Sequence, residues 1–288
     1  MGQMDDTEWL AARFEQSRPR LKGVAYRMLG SLAEADDAVQ EAWLHVVRGD
    51  AAAVSNLDGW LTTIVGRICL DMLRSRKTRR EDPLDGQDVR VDAGPEQEAL
   101  LADSVGLAML VVLDTLAPAE RVAFVLHDMF GLPFDQIAAV TGRSAEASRQ
   151  LASRARRRVR GADAASNPDL ARKQEVVEAF LAASRQGDFE ALVSLLDPDV
   201  VLRADETAAQ GGPVFVRGAS NVAHGALARR QGAAFGRFVL VDGEPALIAA
   251  PRGRLRLVLT FTVTSGGISA IEVIADPGRL ERLEIALP

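Results

Sequence analysis

The stretch Phe134-Asp-Gln-Ile-Ala-Ala-Val-Thr-Gly-Arg-Ser-Ala-Glu-Ala-Ser-Arg-Gln-Leu-Ala-Ser-Arg154 decides the fold of the middle of this chain. A short helix is predicted over Phe134–Thr141, and Gly142 is the residue type that ends a helix. Ser144 is a good N-cap for a second helix. Two helices joined by a tight, glycine-containing turn predict a helix-turn-helix.

The second of these helices is amphipathic. Its apolar residues recur every fourth position, and seven arginines lie between Arg143 and Arg160 against Glu146 alone, a local charge of +6. A packed inner stripe with Arg, Gln and Ser outside predicts a recognition helix in a DNA major groove. A basic surface helix in a bundle that does not bind DNA is the alternative. The apolar stripe is Ala147, Leu151, Ala155 and Val159.

Two further helices are predicted upstream. Ser31-Leu-Ala-Glu34 has the pattern of a capping box, and Leu32, Ala35, Val39, Ala42 and Val46 follow it at helical spacing. A second helix over 57–77 has a buried stripe of Leu61, Val65, Ile68 and Met72. Trp60 and Arg67 share a neighbouring stripe with Ile64, Asp71 and Arg74, and a ring beside guanidiniums suits single-stranded nucleic acid. A half-buried Trp covered by arginine stems would give the same pattern.

The charges alternate along the first half of the chain. The whole chain of 288 residues has a net charge of −6, but residues 67–80 carry a local +5 and residues 81–103 a local −7. Asp-Pro, Asp-Gly and Gly-Pro pairs mark 81–105 as a linker. Two basic clusters around an acidic linker indicate two anion-binding surfaces, with solvated helix faces as the alternative.

Composition excludes several classes. Cys69 is the sole cysteine and there are three histidines, which excludes an intrachain disulfide and leaves little for a zinc site. No apolar run approaches the ~18 residues of a membrane span, and Met1–Leu10 lacks a basic residue. We therefore expect a cytoplasmic protein with no membrane association, metal or cofactor.

After a short hinge, Ala162–Ser166, the pattern changes. Two helices are predicted over 170–186 and 189–195, and a third over 220–230 among short β-rich runs. Gly266-Gly267 marks a hairpin turn between two alternating strands. Helices followed by an antiparallel sheet predict an α+β domain. The strands are predicted at 200–203, 214–217, 238–241, 246–249, 255–264 and 268–274.

Several motifs together resemble one family. Tyr26-Arg-Met-Leu-Gly-Ser31, Ala35-Asp-Asp-Ala-Val-Gln-Glu-Ala-Trp43 and Gly59-Trp-Leu-Thr-Thr-Ile64 resemble region 2 of extracytoplasmic-function sigma factors of the sigma-70 family. Leu116-Ala-Pro-Ala-Glu-Arg121 and the helix-turn-helix resemble region 4. The C-terminal part resembles the SnoaL-like extension of one subset. The resemblance implies an all-α region 2 over 5–80, a linker over 81–105, an all-α region 4 over 106–161 and an α+β, cone-shaped SnoaL-like domain over 168–288.

By this resemblance the chain is a sigma factor that directs core RNA polymerase to promoters and is regulated in cis by its C-terminal domain. The implied partners are the polymerase β and β′ subunits, promoter DNA and a small-molecule ligand of the C-terminal domain. The loop 49–58 matches the loop that captures a flipped base. The residues implied for each contact are as follows: polymerase, Asp36, Asp37, Gln40 and Glu41; the −10 element, Trp60, Arg67, Arg74, Arg76 and Lys77; the −35 element, Ser148, Arg149, Gln150, Ser153, Arg154 and Arg157; the regulatory junction, Asn167, Pro168 and Asp169.

Two alternatives come from other classes. A helix-turn-helix regulator could act without polymerase, but it would not need the acidic face of Asp37 and Glu41. A ligand-converting enzyme would use an acid–base pair in the SnoaL-like domain, for which Asp205, His224 and Asp242 are the candidates. Fold alone does not establish catalysis, so we predict that the chain is not an enzyme.

Overall fold

The computed structural model describes residues 6–48, 56–81, 106–160, 167–209, 214–233, 236–250 and 254–288. These residues form two compact units. The described residues up to 81 and those of 116–156 form the first unit, and those of 106–115 and 157–288 form the second. The predicted hinge, the predicted linker beyond Glu81 and residues 49–55 of the predicted base-capturing loop lie outside the described residues.

The first unit is helical throughout its described part. Among the described residues the helix Leu107–Asp114 belongs to the second unit, where it is labelled α4, and the helix Ala145–Arg160 continues from the first unit into the second. The helices of the first unit are α1 (Asp6–Leu29), α2 (Leu32–Arg48), α3 (Leu57–Glu81), α5 (Pro118–Phe124) with the π-helical turn Val125–Met129, α6 (Phe134–Thr141) and α7 (Ala145–Arg160).

The predicted stripe of α2 is buried at all five positions, which pack against α1 and α3. On α3 the predicted stripe is buried except for the half-buried Met72. Thr62, Cys69 and Leu70 are buried as well. The reason is that α5 and α6 pack on further sides of α3, which periodicity in α3 alone could not show. Half of the predicted capping box forms: Glu34 N donates to Ser31 Oγ at 3.4 Å, while the Glu34 carboxylate pairs with Arg76.

The helix-turn-helix prediction is confirmed. Gly142 has a φ of 68°, the left-handed conformation that favours glycine, and it ends α6. Ser144 Oγ accepts a hydrogen bond from Ala147 N at 3.1 Å and so caps α7. Inside the turn, Thr141 Oγ1 and Ser148 Oγ lie 3.1 Å apart and join the two helices.

The second unit has the predicted α+β layout. Its sheet has the order β2-β1-β6-β5-β4-β3-β7, antiparallel except for the β1–β6 pair. The elements are α4 (Leu107–Asp114), α8 (Pro168–Gln186), α9 (Phe189–Leu195), β1 (Leu196–Ala204), α10 (Glu206–Ala209), β2 (Val214–Arg217), α11 (Ala219–Ala228), α12 (Arg230–Ala233), β3 (Gly236–Val241), β4 (Glu244–Ala249), β5 (Leu257–Thr264), β6 (Gly267–Ile274), α13 (Pro277–Leu280) and β7 (Ile285–Ala286).

Helices α8, α9 and α11 pack against the sheet and enclose the core of this unit. Phe180 of α8 meets Phe261 of β5 edge to face, with ring centroids 5.4 Å apart. Leu192 and Val222 bring α9 and α11 into the same cluster. The alternating apolar residues of the strands are thus buried under helices, as the α+β prediction requires.

Helix α4, which lies in the stretch predicted as region 4, belongs to the second unit, and the strand β7 near the C-terminus was not among the predicted strands. Helix α4 contacts β3 and β7, and its last four apolar residues, Leu110–Leu113, are at most 2% exposed. β7 adds to the edge of β3, and Leu287 N then donates to Val159 O of α7 at 2.8 Å. The last residues of the chain therefore connect the sheet edge to the end of α7.

Candidate nucleic-acid interface

The outer face of α7 is polar and exposed. The residues Leu151, Ala152, Ala155 and Val159 on the other side are buried, so the helix presents one defined surface. Five of the six residues predicted to contact the −35 element are exposed on this surface, which fits a helix that reads base edges. They are Arg149, Gln150, Ser153, Arg154 and Arg157.

Ser148 is the exception and requires a correction. Its side chain is completely buried, and its hydroxyl is used by Thr141. A buried hydroxyl between two helices presents no atom to DNA, so Ser148 holds the turn together. The fourfold spacing of Ala147, Leu151, Ala155 and Val159 had left Ser148 on the outer side, whereas the structure buries Ser148 and leaves Ala147 half-buried.

The arginines of α7 differ in how strongly carboxylates compete with a phosphate for them. Arg149 pairs with Glu146 one turn away and lies 5.2 Å from the centre of the Phe134 ring. An exposed pair of this kind contributes about 0–1 kcal/mol, so a phosphate can replace it at little cost. Arg154 lies 3.8 Å from the buried Glu120, and Arg156 pairs at 2.6 Å with Asp128, whose side chain is 19% exposed. Within the described residues Arg157 has no carboxylate partner, which leaves its charge for a ligand.

On α3, one of the residues predicted to contact the −10 element is bound to another helix. Arg67 and Arg74 are exposed and Trp60 is half-buried, and Lys77 lies on the same helix. The Arg67 guanidinium donates through Nη2 to Ala139 O of α6 at 2.8 Å. Arg74 lies 3.5 Å from Asp71 one turn away. Arg67 is therefore engaged by the helix-turn-helix in this conformation.

Arg76 has a structural role that its charge did not reveal. It is half-buried, donates through Nη1 to Leu29 O at 3.1 Å and pairs with Glu34. These contacts fix α3 to the end of α1 and the start of α2. Asn56, the first described residue of the predicted base-capturing loop, caps α3 by accepting from Gly59 N at 3.0 Å.

Helices α5 and α6 pack directly on α3. Gly66 permits the approach, because a Cβ there would lie 3.3 Å from side-chain atoms of Leu126 and Val140. Arg121 of α5 is 2% exposed and donates to Arg27 O at 3.4 Å. Burial raises the pKa of the Cys69 thiol on α3 to about 12 despite the nearby Arg121 charge. The predicted −10 helix thus contributes to a dry core shared with the helix-turn-helix.

The face of α2 predicted to bind polymerase is exposed at Asp36, Asp37, Gln40 and Glu41. Asp36 pairs with Lys22 of α1 at 2.7 Å, so its charge is partly compensated. The same face continues into Leu44 and Val47, which are 48% and 50% exposed. Sequence reasoning missed these two, although their spacing from Gln40 places them on that side of the helix. The face combines carboxylates with an apolar end.

The Asn-Pro-Asp junction is a helix start. Asn167 Oδ1 accepts from Asp169 N at 3.1 Å, and Pro168 occupies the first position of α8. Asp169 then pairs with Lys173 at 3.2 Å, and Lys173 also reaches Glu244 at 3.1 Å. Its hydrogen bonds to Glu244 and Asp169 raise the pKa of Lys173. The motif therefore fixes where α8 begins and ties it to β4.

The three residues considered for catalysis are each engaged in local contacts, and two of them follow strands that are far apart in the sheet. Asp205 follows β1 and Asp242 follows β3. These two strands lie near opposite edges of the sheet and are four strand positions apart, which is roughly 19 Å across the strands. The Asp205 carboxylate accepts from Ala208, Ala275 and Asp276 N at 2.8–2.9 Å. Burial would raise the pKa of Asp205, but these bonds outweigh it and lower the pKa.

The other two candidates are engaged locally. His224 Nδ1 lies 2.8 Å from Ser220 O, and its ring packs on Phe189 with centroids 4.6 Å apart. Asp242 accepts from Glu284 N at 3.0 Å and so holds the strand that leads to the C-terminus. Among the described residues there is no cluster of His, Cys, Asp and Glu fit for a metal ion, and no helix has the length and apolarity that a membrane crossing requires.

Comparison with known proteins shows that the chain is similar to one family along most of its length. The profile of Sigma-70 region 2 matches residues 13–79, and that of Sigma-70, region 4 matches residues 107–159. The probable ECF RNA polymerase sigma factor SigI of Mycobacterium tuberculosis is 36% identical over 99% of this chain and 99% of its own length. SigJ of the same organism, an ECF RNA polymerase sigma factor, is 38% identical over 93% of this chain and 92% of its own. The crystal structure of SigJ covers 93% of this chain and 97% of its own, with 34% identity and a TM-score of 0.45.

Proposed function

We propose that this chain, which belongs to the extracytoplasmic-function RNA polymerase sigma factors and acts in transcription initiation, reads the −35 element with α7 and the −10 element with α3. The observation that carries the proposal is the outer face of α7. It presents Arg149, Gln150, Ser153, Arg154 and Arg157 behind a correctly built turn. Arg and Gln on such a face can pair with guanine and adenine edges.

The polymerase docks on α2 in this proposal. Asp37, Gln40 and Glu41 form the polar part of the surface, and Leu44 and Val47 add apolar area at one end. Exposed apolar residues beside carboxylates suit a protein partner better than DNA, whose phosphates would repel the carboxylates. A regulator that works without polymerase has no use for this face. The β′ subunit is the partner that the family resemblance assigns to it.

The packed first unit is a closed state. Helices α3 and α6 are in contact through Arg67 and Ala139. The −10 and −35 elements, however, are about 25 base pairs apart, which is ~85 Å along B-DNA. Helices in contact cannot occupy both elements at once. Binding to polymerase and promoter must therefore separate α6 and α7 from α3, and it releases Arg67 for DNA.

The C-terminal domain regulates the chain in cis by holding both ends of region 4. It buries α4 against β3 and β7, and Leu287 holds the end of α7 at Val159. It does so as a binding and positioning domain without catalysis, since Asp205, His224 and Asp242 are used in local structure. A small-molecule ligand of this domain stays a prediction.

Run-off transcription with core polymerase on a promoter library tests the proposal. The full chain should select a −35/−10 promoter class, and Asp37→Lys with Glu41→Lys should abolish transcription by weakening core binding. Glu175→Lys with Glu178→Lys on the exposed side of α8 changes the net charge equally and is the control. Equal activity of both double variants would place the docking face elsewhere, and no promoter selection by the parent chain would reject the function.

Regulation by the C-terminal domain is tested by removing one backbone hydrogen bond. Leu287→Pro removes the N–H that reaches Val159 O, whereas Leu287→Ala keeps it. We expect the proline variant to change promoter-dependent transcription several-fold and the alanine variant to resemble the parent. Identical activity of all three at matched core occupancy would mean that this bond does not position α7.

A further inference from the structure

The acidic and basic residues of the C-terminal domain lie in separate stretches of its sequence. Residues 207–241 and 245–271 contain seven arginines and no aspartate or glutamate. Elsewhere the domain is rich in carboxylates, with Asp242 and Glu244 in the β3–β4 turn and Glu272, Asp276 and Glu281 near its end. A domain with little overall charge thus has one strongly basic portion.

The fold brings three of these arginines to one end of the sheet, where they join Arg185. Arg185, at the end of α8, donates to Ala233 O at 3.1 Å and to Gly236 O at 2.6 Å, where β3 begins. Arg230 lies over the same helix end, with its Nη1 3.7 Å from the position of a Cβ on Gly187. Arg229 precedes it in the chain.

Arg256 reaches this end from the neighbouring strands. Gly236 of β3 pairs with Ala249 of β4, and Arg256 N donates to Ala249 O at 2.9 Å. Two strand spacings, about 10 Å, therefore separate Arg256 from the start of β3. We call Arg185, Arg229, Arg230 and Arg256 the arginine cluster. All four are exposed.

The arginine cluster is held in place without being neutralised. Within the described residues, its side-chain hydrogen bonds go to backbone carbonyls: Arg185 to α12 and β3, and Arg229 to Gly225 O at 3.4 Å. By contrast, Arg217 and Arg279 of the same domain pair with Asp199 and Glu272. Guanidiniums that are oriented by carbonyls but have no carboxylate partner keep their full charge for an external anion.

We infer that the arginine cluster binds the phosphate backbone of DNA and gives the C-terminal domain a sequence-independent DNA contact. The inference rests on the proposed function only in that promoter DNA is then the polyanion nearest to the domain. Contacts from guanidiniums to phosphates position a protein on DNA and carry no sequence information. The contact would add to the affinity of α7 for its site and leave its specificity unchanged.

The test compares two double variants of the full-length chain on a duplex of scrambled sequence over a range of salt concentrations. Arg229→Gln with Arg230→Gln removes two charges from the arginine cluster. Arg203→Gln with Arg282→Gln removes two exposed charges elsewhere in the same domain. The slope of log Kd against log salt should fall by about 2 for the cluster variant and stay unchanged for the control. Thermal unfolding of both should match the parent, because the four side chains are exposed.

An unchanged slope in the cluster variant overturns the inference. Tighter DNA binding by that variant overturns it as well and would indicate a regulatory anion that competes with DNA. The acidic segment 81–103 of this chain, with its local charge of −7, would then be the occupant. The cluster variant could also lose −35 specificity in the promoter library while it binds the scrambled duplex like the parent. That result would mean that the substitutions act through α7 and that the arginine cluster does not contact DNA.

Discussion

Helices α3 and α7 carry arginines of similar number but use them differently. On α7 five of the six arginines are exposed, and Arg149 pairs with the exposed Glu146 one turn away, while the half-buried Arg156 is bound to Asp128. On α3, Arg76 is bound to Leu29 O and Glu34, and Arg67 to Ala139 O. One helix keeps most of its arginines exposed in this conformation, and the other uses two of them in the packing of the unit. A charge count cannot distinguish these roles, because the difference lies in what each guanidinium touches.

The largest expected effect is the loss of promoter affinity when α7 is changed. Arg149→Ala and Arg157→Ala should each cost about 1–3 kcal/mol of binding where the arginine pairs with a base, with relaxed specificity at one position. Stability should be unchanged, because both side chains are exposed. Holoenzyme binding to single-base promoter variants measures this, and parent-like affinity across salt would reject the assignment of α7.

Arg76→Ala should lower the stability of the protein, in contrast to the α7 substitutions, which should lower promoter affinity. It removes a half-buried ion pair and a carbonyl contact, which should lower the free energy of unfolding by about 2 kcal/mol without a change in m-value. Urea unfolding checks this. A parent-like midpoint together with a reduced salt slope for DNA binding would instead make Arg76 a DNA contact.

A smaller effect is expected at Asp205, where a carboxylate is again used in structure. The pKa of the Asp205 carboxyl is lowered in the folded state. The stability that the carboxylate contributes is therefore present above the pKa of the unfolded state and is lost as the pH falls through the pKa of the folded state. Asp205→Asn should cost about 1 kcal/mol at neutral pH, and the difference from the parent should disappear in acid. Thermal unfolding of both proteins at pH 7 and pH 3 measures this. A difference that persists unchanged at pH 3 would contradict a role for the ionised carboxylate.

The smallest expected effect is that of Arg67→Ala on stability. One exposed hydrogen bond to a carbonyl contributes about 0.5 kcal/mol. Its loss should nevertheless speed alkylation of the buried Cys69, since the contact helps to keep α6 on α3. The alkylation rate under native conditions reports this, and Arg74→Ala is the matched control on the same helix. Equal rates in both variants would show that Arg67 does not hold the closed state.

Local periodicity predicted much of this fold because it reflects local geometry. The α2 stripe, the turn at Gly142 and most strands follow from spacing and residue type. Burial of Ser148 and Thr62 did not follow, because it depends on which helices pack on a third side. The placement of α4 on β3 and β7 also depends on contacts between distant parts of the chain. The exposure of the faces of α7 and α2 proposed for DNA and polymerase followed from local periodicity, while the contacts of Arg76 and Asp205 did not.

The most direct test of the account is whether α3 and α6 separate when the chain works. Dyes at Thr78→Cys on α3 and Asp135→Cys on α6 label exposed positions, and the buried Cys69 does not compete. In the closed unit these dyes are within about 45 Å, since α3 itself is ~37 Å long. Energy transfer should be measurable in the chain alone and should be lost in the promoter complex with core polymerase. Unchanged transfer in a complex that is transcribing would contradict the account.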